Sequence, residues 1–166
     1  MNPQSMRIGK TTAAAAGENL LNTVAVFEQL LIRSIDLRNL YINVRWQISG
    51  SQFSEIREIL IEHQKEQLSL IGSLVDRIRI LDGTAGVFAS DFLQRAQLCR
   101  VIRGARALNQ LLLDLLEAHE AVLSAAHPRD SHDDLRWVRD FAVGQVVLTN
   151  EQQREIINSK VRSAKY

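Results

Sequence analysis

The side chains best suited to chemistry in this 166-residue sequence are its four histidines and the carboxylates around them. His63 stands between Glu62 and Glu66, and His119 beside Glu117 and Glu120. Imidazole nitrogens and carboxylate oxygens are transition-metal ligands, so each cluster is a candidate metal site. Adjacent residues on a helix face different directions, however, so neither cluster closes around one ion without a second element. A core or surface role is the plainer expectation for both. The stretch 127–134 (HPRDSHDD) is denser in donors and contains Asp130, His132, Asp133 and Asp134. In one copy it reads most simply as a capped helix start, with Asp130 or Ser131 as the cap and acidic residues in the positive first turn. No Glu-x-x-His occurs anywhere, which removes the motif that builds a di-iron centre inside a helical bundle. Nor is there a Gly-rich phosphate loop, a Cys/His zinc spacing or a nucleophile with a paired base. Trp46 and Trp137 read as packing or interface residues rather than platforms for stacked bases.

The elements that must position these groups are long helices. Apolar residues make up 46% of the chain and aromatics 5%, with eight Gly and two Pro, and few breakers interrupt many straight-chain residues. A first helix is expected over about 18–48, with Leu20, Val24, Phe27, Leu31 and Ile35 on its buried face. Gly50 breaks it, and Ser51 offers a capping oxygen to the next helix, expected over about 52–81. The stripe of that second helix includes Phe53, Leu60, His63, Gln67, Leu74 and Ile78. Residues 83–96 read as a loop holding one short helix near 90–94. A third helix over 97–126 ends at His127-Pro128. A fourth runs to about 157 through Leu135, Val138, Phe141, Gln145 and Leu148. Four such helices make an all-α four-helix bundle, whose middle is expected to carry an uncharged polar layer of Ser34, His63, Gln67, Asn109 and Gln145. The expected division is a flexible arm over 1–17, the bundle over 18–158 and a disordered basic tail over 159–166.

Formal net charge is +1, which excludes a body built as a polycation to grip nucleic acid. The cations gather at the ends instead, with Arg7 and Lys10 near one terminus and Lys160, Arg162 and Lys165 near the other. No apolar run reaches a membrane span, and no signal-peptide pattern opens the chain. Cys99 is the lone cysteine, so no intrachain disulfide forms and a cytoplasmic location is expected.

The junction of the first two helices carries a family resemblance. Trp46 lies near a helix end, Gly50 follows four residues on and Phe53 three after that, with a long amphipathic helix behind them. This resembles the helix A to helix B junction of the Dps miniferritins (DNA-binding proteins from starved cells). Val75-Asp76-Arg77-Ile78-Arg79-Ile80-Leu81-Asp82-Gly83 is similar to the end of that family's helix B and its Gly turn. The short helix expected between the second and third long helices, and the acidic turn from Asp130 to Trp137, also resemble it. The likeness extends over roughly 19–158.

The resemblance implies a ferritin-like bundle with a short extra helix in its crossover, assembled into a homo-oligomeric, twelve-subunit shell. It also implies where iron would be oxidised, between two subunits. The family's His, His-x-x-x-Asp and Asp-x-x-x-Glu positions correspond here to Arg45, Arg57, Ile61, Gly72 and Asp76. Only Asp76 keeps a ligand-capable side chain, and two guanidiniums stand where cations would bind. The family's ferroxidase centre is therefore expected to be absent. Arg45 or Arg57 then either pairs with Asp76 of the partner subunit or extends into solvent. Near a three-fold pore, Asp130, His132, Asp133 and Asp134 would attract entering cations. Arg7, Lys10, Lys160, Arg162 and Lys165 would hold DNA through phosphate, without regard to sequence. Co-assembly with an active paralogue is a further expectation, and no membrane is implied. The competing expectation is an iron-oxidising, iron-storing protein with a non-standard site.

Overall fold

The computed structural model describes residues 3–82, 107–126 and 136–163. Helix α1 spans Pro3–Gln47, α2 Ser54–Asp82, α3 Leu108–Ala126 and α4 Arg136–Ser163, and a 3-10 turn at Ser51–Phe53 leads into α2. Helix α1 packs along α2 and α3, and α4 packs along α3 and more sparsely against α2. The order around the bundle is thus α1, α2, α4, α3. This is the four-helix bundle that the sequence pattern implied, with the ferritin-like packing that the family resemblance implied. The short crossover helix expected near 90–94, the first turns expected of the third helix and the acidic turn at 130–134 lie outside the described residues.

The helix starts and stops follow local chemistry. Helix α1 begins at Pro3 rather than near residue 18, so the segment expected to be an arm has helical backbone. Ala13–Ala16 are the strongest helix formers and carry the helix across it. At the other end Gly50 takes φ 110° and ψ 149°, a region essentially restricted to glycine. A Cβ there would also lie 2.6 Å from Gln52 Oε1. Ser51 makes no side-chain cap, contrary to expectation. Instead the 3-10 turn satisfies the new helix by backbone, with the Phe53 amide donating to the Gly50 carbonyl (3.3 Å) and the Ser54 amide to that of Ser51.

The apolar core runs the length of the bundle. Phe27, Leu30, Leu37 and Val44 from α1, Leu60 and Ile78 from α2, Leu112, Leu115 and Val122 from α3, and Ile157 from α4 are completely buried. Each such side chain contributes about 1.5–3 kcal/mol by leaving water. Helix α4 presents Val146, Asn150, Gln153, Ile157 and Val161 inward, not the register through Gln145 and Leu148, both of which are exposed.

That register also corrects the expected tail. Val161 lies one turn beyond Ile157 on the same face, is buried, and draws α4 on to Ser163. Lys160 in the same turn donates to Glu55 Oε1 at 2.5 Å, tying the end of α4 to the start of α2. Replacing Val161 with Ala is expected to lower stability by about 1–2 kcal/mol, the transfer and cavity cost of two lost methyl groups. Urea unfolding checks this, since a disordered tail would give no change.

Candidate functional site

Among the described residues, the polar side chains buried in the core are Thr23, Ser34, His63, Gln67, His119, Asn150 and Gln153. Together with Tyr41, most of them form one chain of hydrogen bonds crossing all four helices. The helical period places them there: His63 and Gln67 lie one turn apart on α2, and Asn150 and Gln153 are three residues apart on α4.

The direction of each bond follows from the donor inventory. Asn150 Nδ2 donates to the Val146 carbonyl (2.8 Å), so Asn150 Oδ1 is the acceptor of the pair it makes with His119 Nδ1 (3.0 Å). A neutral His119 protonated at Nδ1 must accept at Nε2, and the Tyr41 hydroxyl donates there at 2.7 Å. The Tyr41 oxygen in turn accepts from His63 Nδ1–H at 3.0 Å. Gln67 Nε2 donates to Asn150 Oδ1 (3.1 Å) and Gln153 Oε1 (2.9 Å). Gln153 Nε2 donates to Glu66 Oε2 (2.6 Å) and to the His63 carbonyl (3.4 Å). Both imidazoles meet the Tyr41 ring edge-on, with centroids 5.5 and 5.8 Å away.

Electrostatics keep this chain uncharged at neutral pH. Burial lowers the His119 pKa to about 4, helped by His63 and Arg154 and opposed by the bond to Asn150. Burial also lowers His63, against the pull of Glu66 and Glu62. Tyr41 is raised well above an ordinary phenol, first by burial and then by the Glu66 carboxylate. Beside the chain, a cleft of about 550 Å³ between α2 and α4 is lined by Ile59, Glu62, His63, Glu66, Gln153 and Ile156.

The expected polar layer is thus found in two of its five members. His63 and Gln67 belong to the hydrogen-bond chain, and Ser34 is buried but outside it. Asn109 sits half-buried about three helical turns before His119, and Gln145 is exposed, so neither takes part. Tyr41, Asn150 and Gln153 are the members that the sequence did not place, and His119, expected in the core or at the surface, joins them. For Asn150 and Gln153 the signal was available in the register Asn150, Gln153, Ile157, Val161.

The other candidates lie elsewhere. Arg45 is half-buried near the end of α1 and Ile61 half-buried on α2, while Arg57, Gly72 and Asp76 are exposed on α2. None of the five enters the buried chain, and among the described residues Arg45, Arg57 and Asp76 form no ion pair within the protein. Glu62 pairs with Lys65 (3.2 Å) and Glu120 with Arg154 (2.6 Å). No three His, Cys, Asp or Glu side chains among the described residues could together hold a metal ion. Asp130, His132, Asp133, Asp134 and Lys165 lie outside the described residues, as do the side chains of Arg7 and Lys10. Lys160 is engaged by Glu55, and Arg162 is exposed.

The depressed His119 pKa fixes a pH dependence. Below about pH 6.5 the unfolded chain protonates this imidazole while the folded chain resists until about pH 4, so stability falls as pH drops through that window. The full loss from this group is roughly 3 kcal/mol. His119→Gln, compared with the unaltered protein in urea titrations from pH 7 to 4, is expected to show a shallower decline.

No protein-family model matches the sequence, and no curated protein sequence matches it. Solved structures do. DpsC from Streptomyces coelicolor is similar with a TM-score of 0.71 and 25% identity, over 87% of this chain and 86% of that one. Dps from Thermosynechococcus elongatus is similar with a TM-score of 0.72 and 16% identity, over 89% of this chain and 94% of that one. With the helix order and packing described above, these likenesses establish that the chain has the Dps miniferritin fold.

Proposed function

We propose that the chain is the subunit of a closed Dps-type shell in which the seam that would oxidise iron has been replaced by fixed positive charge. The observation that carries this reading is the donor set at Arg45, Arg57, Ile61, Gly72 and Asp76. A guanidinium stays protonated and has no lone pair to offer, an alkyl group and a hydrogen offer none either, and a single carboxylate does not retain ferrous iron. The residues present therefore do not fit iron as a substrate at this seam.

The surface of α2 supports assembly. Leu68 and Ile80 are exposed, the latter by 74%, and Trp46 at the end of α1 is exposed by 72%. Gly72 lies on the same helix with nothing within 4 Å of where its Cβ would be. Glycine costs a helix interior roughly 1 kcal/mol, and among the described residues no contact offsets it. Close approach of a second subunit would. Across that contact Arg45 or Arg57 pairs with Asp76 of the partner subunit, an interaction worth at most about 1 kcal/mol if it stays wet.

DNA contact is the second part of the proposal. It rests on Arg7, Lys10, Arg162 and Lys165, with Lys160 reduced by its bond to Glu55. A few cations per subunit bind weakly, but repetition around a shell multiplies the attraction and makes it steeply salt-dependent. The competing reading, an iron-oxidising shell, rests on Asp130, His132, Asp133 and Asp134 at a pore.

Sedimentation is expected to give a particle of about twelve subunits, the number the family resemblance implies. Ferrous iron added anaerobically, then exposed to oxygen or peroxide, is expected to oxidise no faster than in protein-free buffer. Stoichiometric fast oxidation would favour the competing reading, and a monomer would sink both. Restoring Arg45→His, Arg57→His, Ile61→Asp and Gly72→Asp together is expected to create oxidation above background.

A further inference from the structure

The buried chain contains an arrangement that a shell subunit does not require. Tyr41 is completely buried, and its hydroxyl donates to the neutral nitrogen His119 Nε2 at 2.7 Å. The Asn150 amide holds that imidazole in the accepting tautomer through His119 Nδ1. A second imidazole, His63, donates to the phenolic oxygen from the other side. A phenol loses an electron readily only if its proton can leave at the same time, because the oxidised phenol is a very strong acid. A base already hydrogen-bonded to the O–H removes that obstacle.

We propose that Tyr41 is a redox-active residue that gives one electron to an external oxidant while its proton moves to His119. The phenolic O–H bond breaks, an N–H bond forms at His119 Nε2, and one electron passes to a one-electron oxidant outside the bundle. The pair ends as a neutral phenoxyl radical beside an imidazolium. A one-electron reductant reverses the step, and the proton returns from Nε2 to the oxygen. Nothing else need move, since His119 Nδ1–H keeps its bond to Asn150 and His63 Nδ1–H keeps its bond to the oxygen.

The surroundings favour this sequence. In the resting protein the proton stays on the phenol, because burial makes His119 a weak base and holds Tyr41 well above its ordinary pKa. Oxidation reverses that preference, since the oxidised phenol is far more acidic than the imidazolium. At His119 the hydrogen bond to Asn150 supports the imidazolium against burial, His63 and Arg154, while the Glu66 carboxylate acts on Tyr41 and His63. Full burial keeps bulk water from the radical. The site would serve as a sink for oxidising equivalents, independent of whether the chain closes into a shell or binds DNA.

The sequence permits a clean test, because Tyr41 and Tyr166 are its only tyrosines. The full-length Tyr166→Phe variant is oxidised with photogenerated tris(bipyridine)ruthenium(III) and followed by transient absorbance and freeze-quench electron paramagnetic resonance. A phenoxyl signal is expected, forming more slowly in D2O than in H2O, and absent when Tyr41→Phe is added. Adding His119→Gln, which keeps an amide in the site but no basic nitrogen, is expected to slow its formation at least about ten-fold, the scale of a lost general base. No phenoxyl signal, or radical on tryptophan alone, would overturn the proposal. So would formation that is insensitive to D2O, a comparison that needs no change at position 119.

Discussion

Buried polar groups constrain this fold more tightly than its apolar core does. Leucines on facing helices tolerate small slides against one another, whereas a donor left without its acceptor costs about 1–3 kcal/mol. Tyr41 on α1, His63 and Gln67 on α2, His119 on α3, and Asn150 and Gln153 on α4 are joined donor to acceptor. Sliding any one helix by a turn, about 5.4 Å, would break several of these bonds at once. The apolar stripes bring the helices together, and the polar chain sets their register.

The same chain explains why the middle of the bundle is polar yet carries almost no formal charge. A buried ion must be paired or it shifts its pKa and neutralises. Both imidazoles take the second course, with their affinity for protons reduced by burial. Glu66 stays at the rim, joined to the chain by the hydrogen bond from Gln153. A proton-ordered array of neutral groups results, in which every hydrogen of the Tyr41 and imidazole members has a defined acceptor.

How much of this was legible in the sequence varies by element. The four-helix architecture was, because few breakers and strong helix formers leave little alternative between Glu18 and Asp82, whereas the helical start at Pro3 was not expected. The break at Gly50 was also legible, since only glycine adopts its backbone angles. Helix α4 was misread because Phe141 and Leu148 outweigh Asn150 and Gln153 in any hydrophobic stripe. Its true inward face alternates amide and aliphatic groups, and amides look like surface until their partners are known. The end of α4 was misread for a related reason: Val161 is a single apolar residue among Lys160, Arg162 and Ser163, and its value appears only with Ile157 one turn before it. Tyr41 carried no signal of its own, because a tyrosine in a helix reads equally as core or rim until His63 and His119 converge on its hydroxyl.

Helix α2 shows how this chain can keep the Dps fold while its surface chemistry drifts. Leu60, His63, Gln67, Leu70, Leu74 and Ile78 face the bundle, whereas Arg57, Leu68, Gly72 and Asp76 lie on the side turned away from it. The two sets share a helix but face largely apart, although Leu70, Leu74 and Asp76 line one cleft; sites that share no partner contribute nearly independently to stability. Changes on the outer set leave the inner hydrogen bonds untouched, so those positions can vary with little folding penalty. The inner set has no such freedom, because altering His63 or Gln67 strands partners on α1 and α4. Which positions are tied to the core and which face outward thus follow from one helical period that points the two sets of side chains apart.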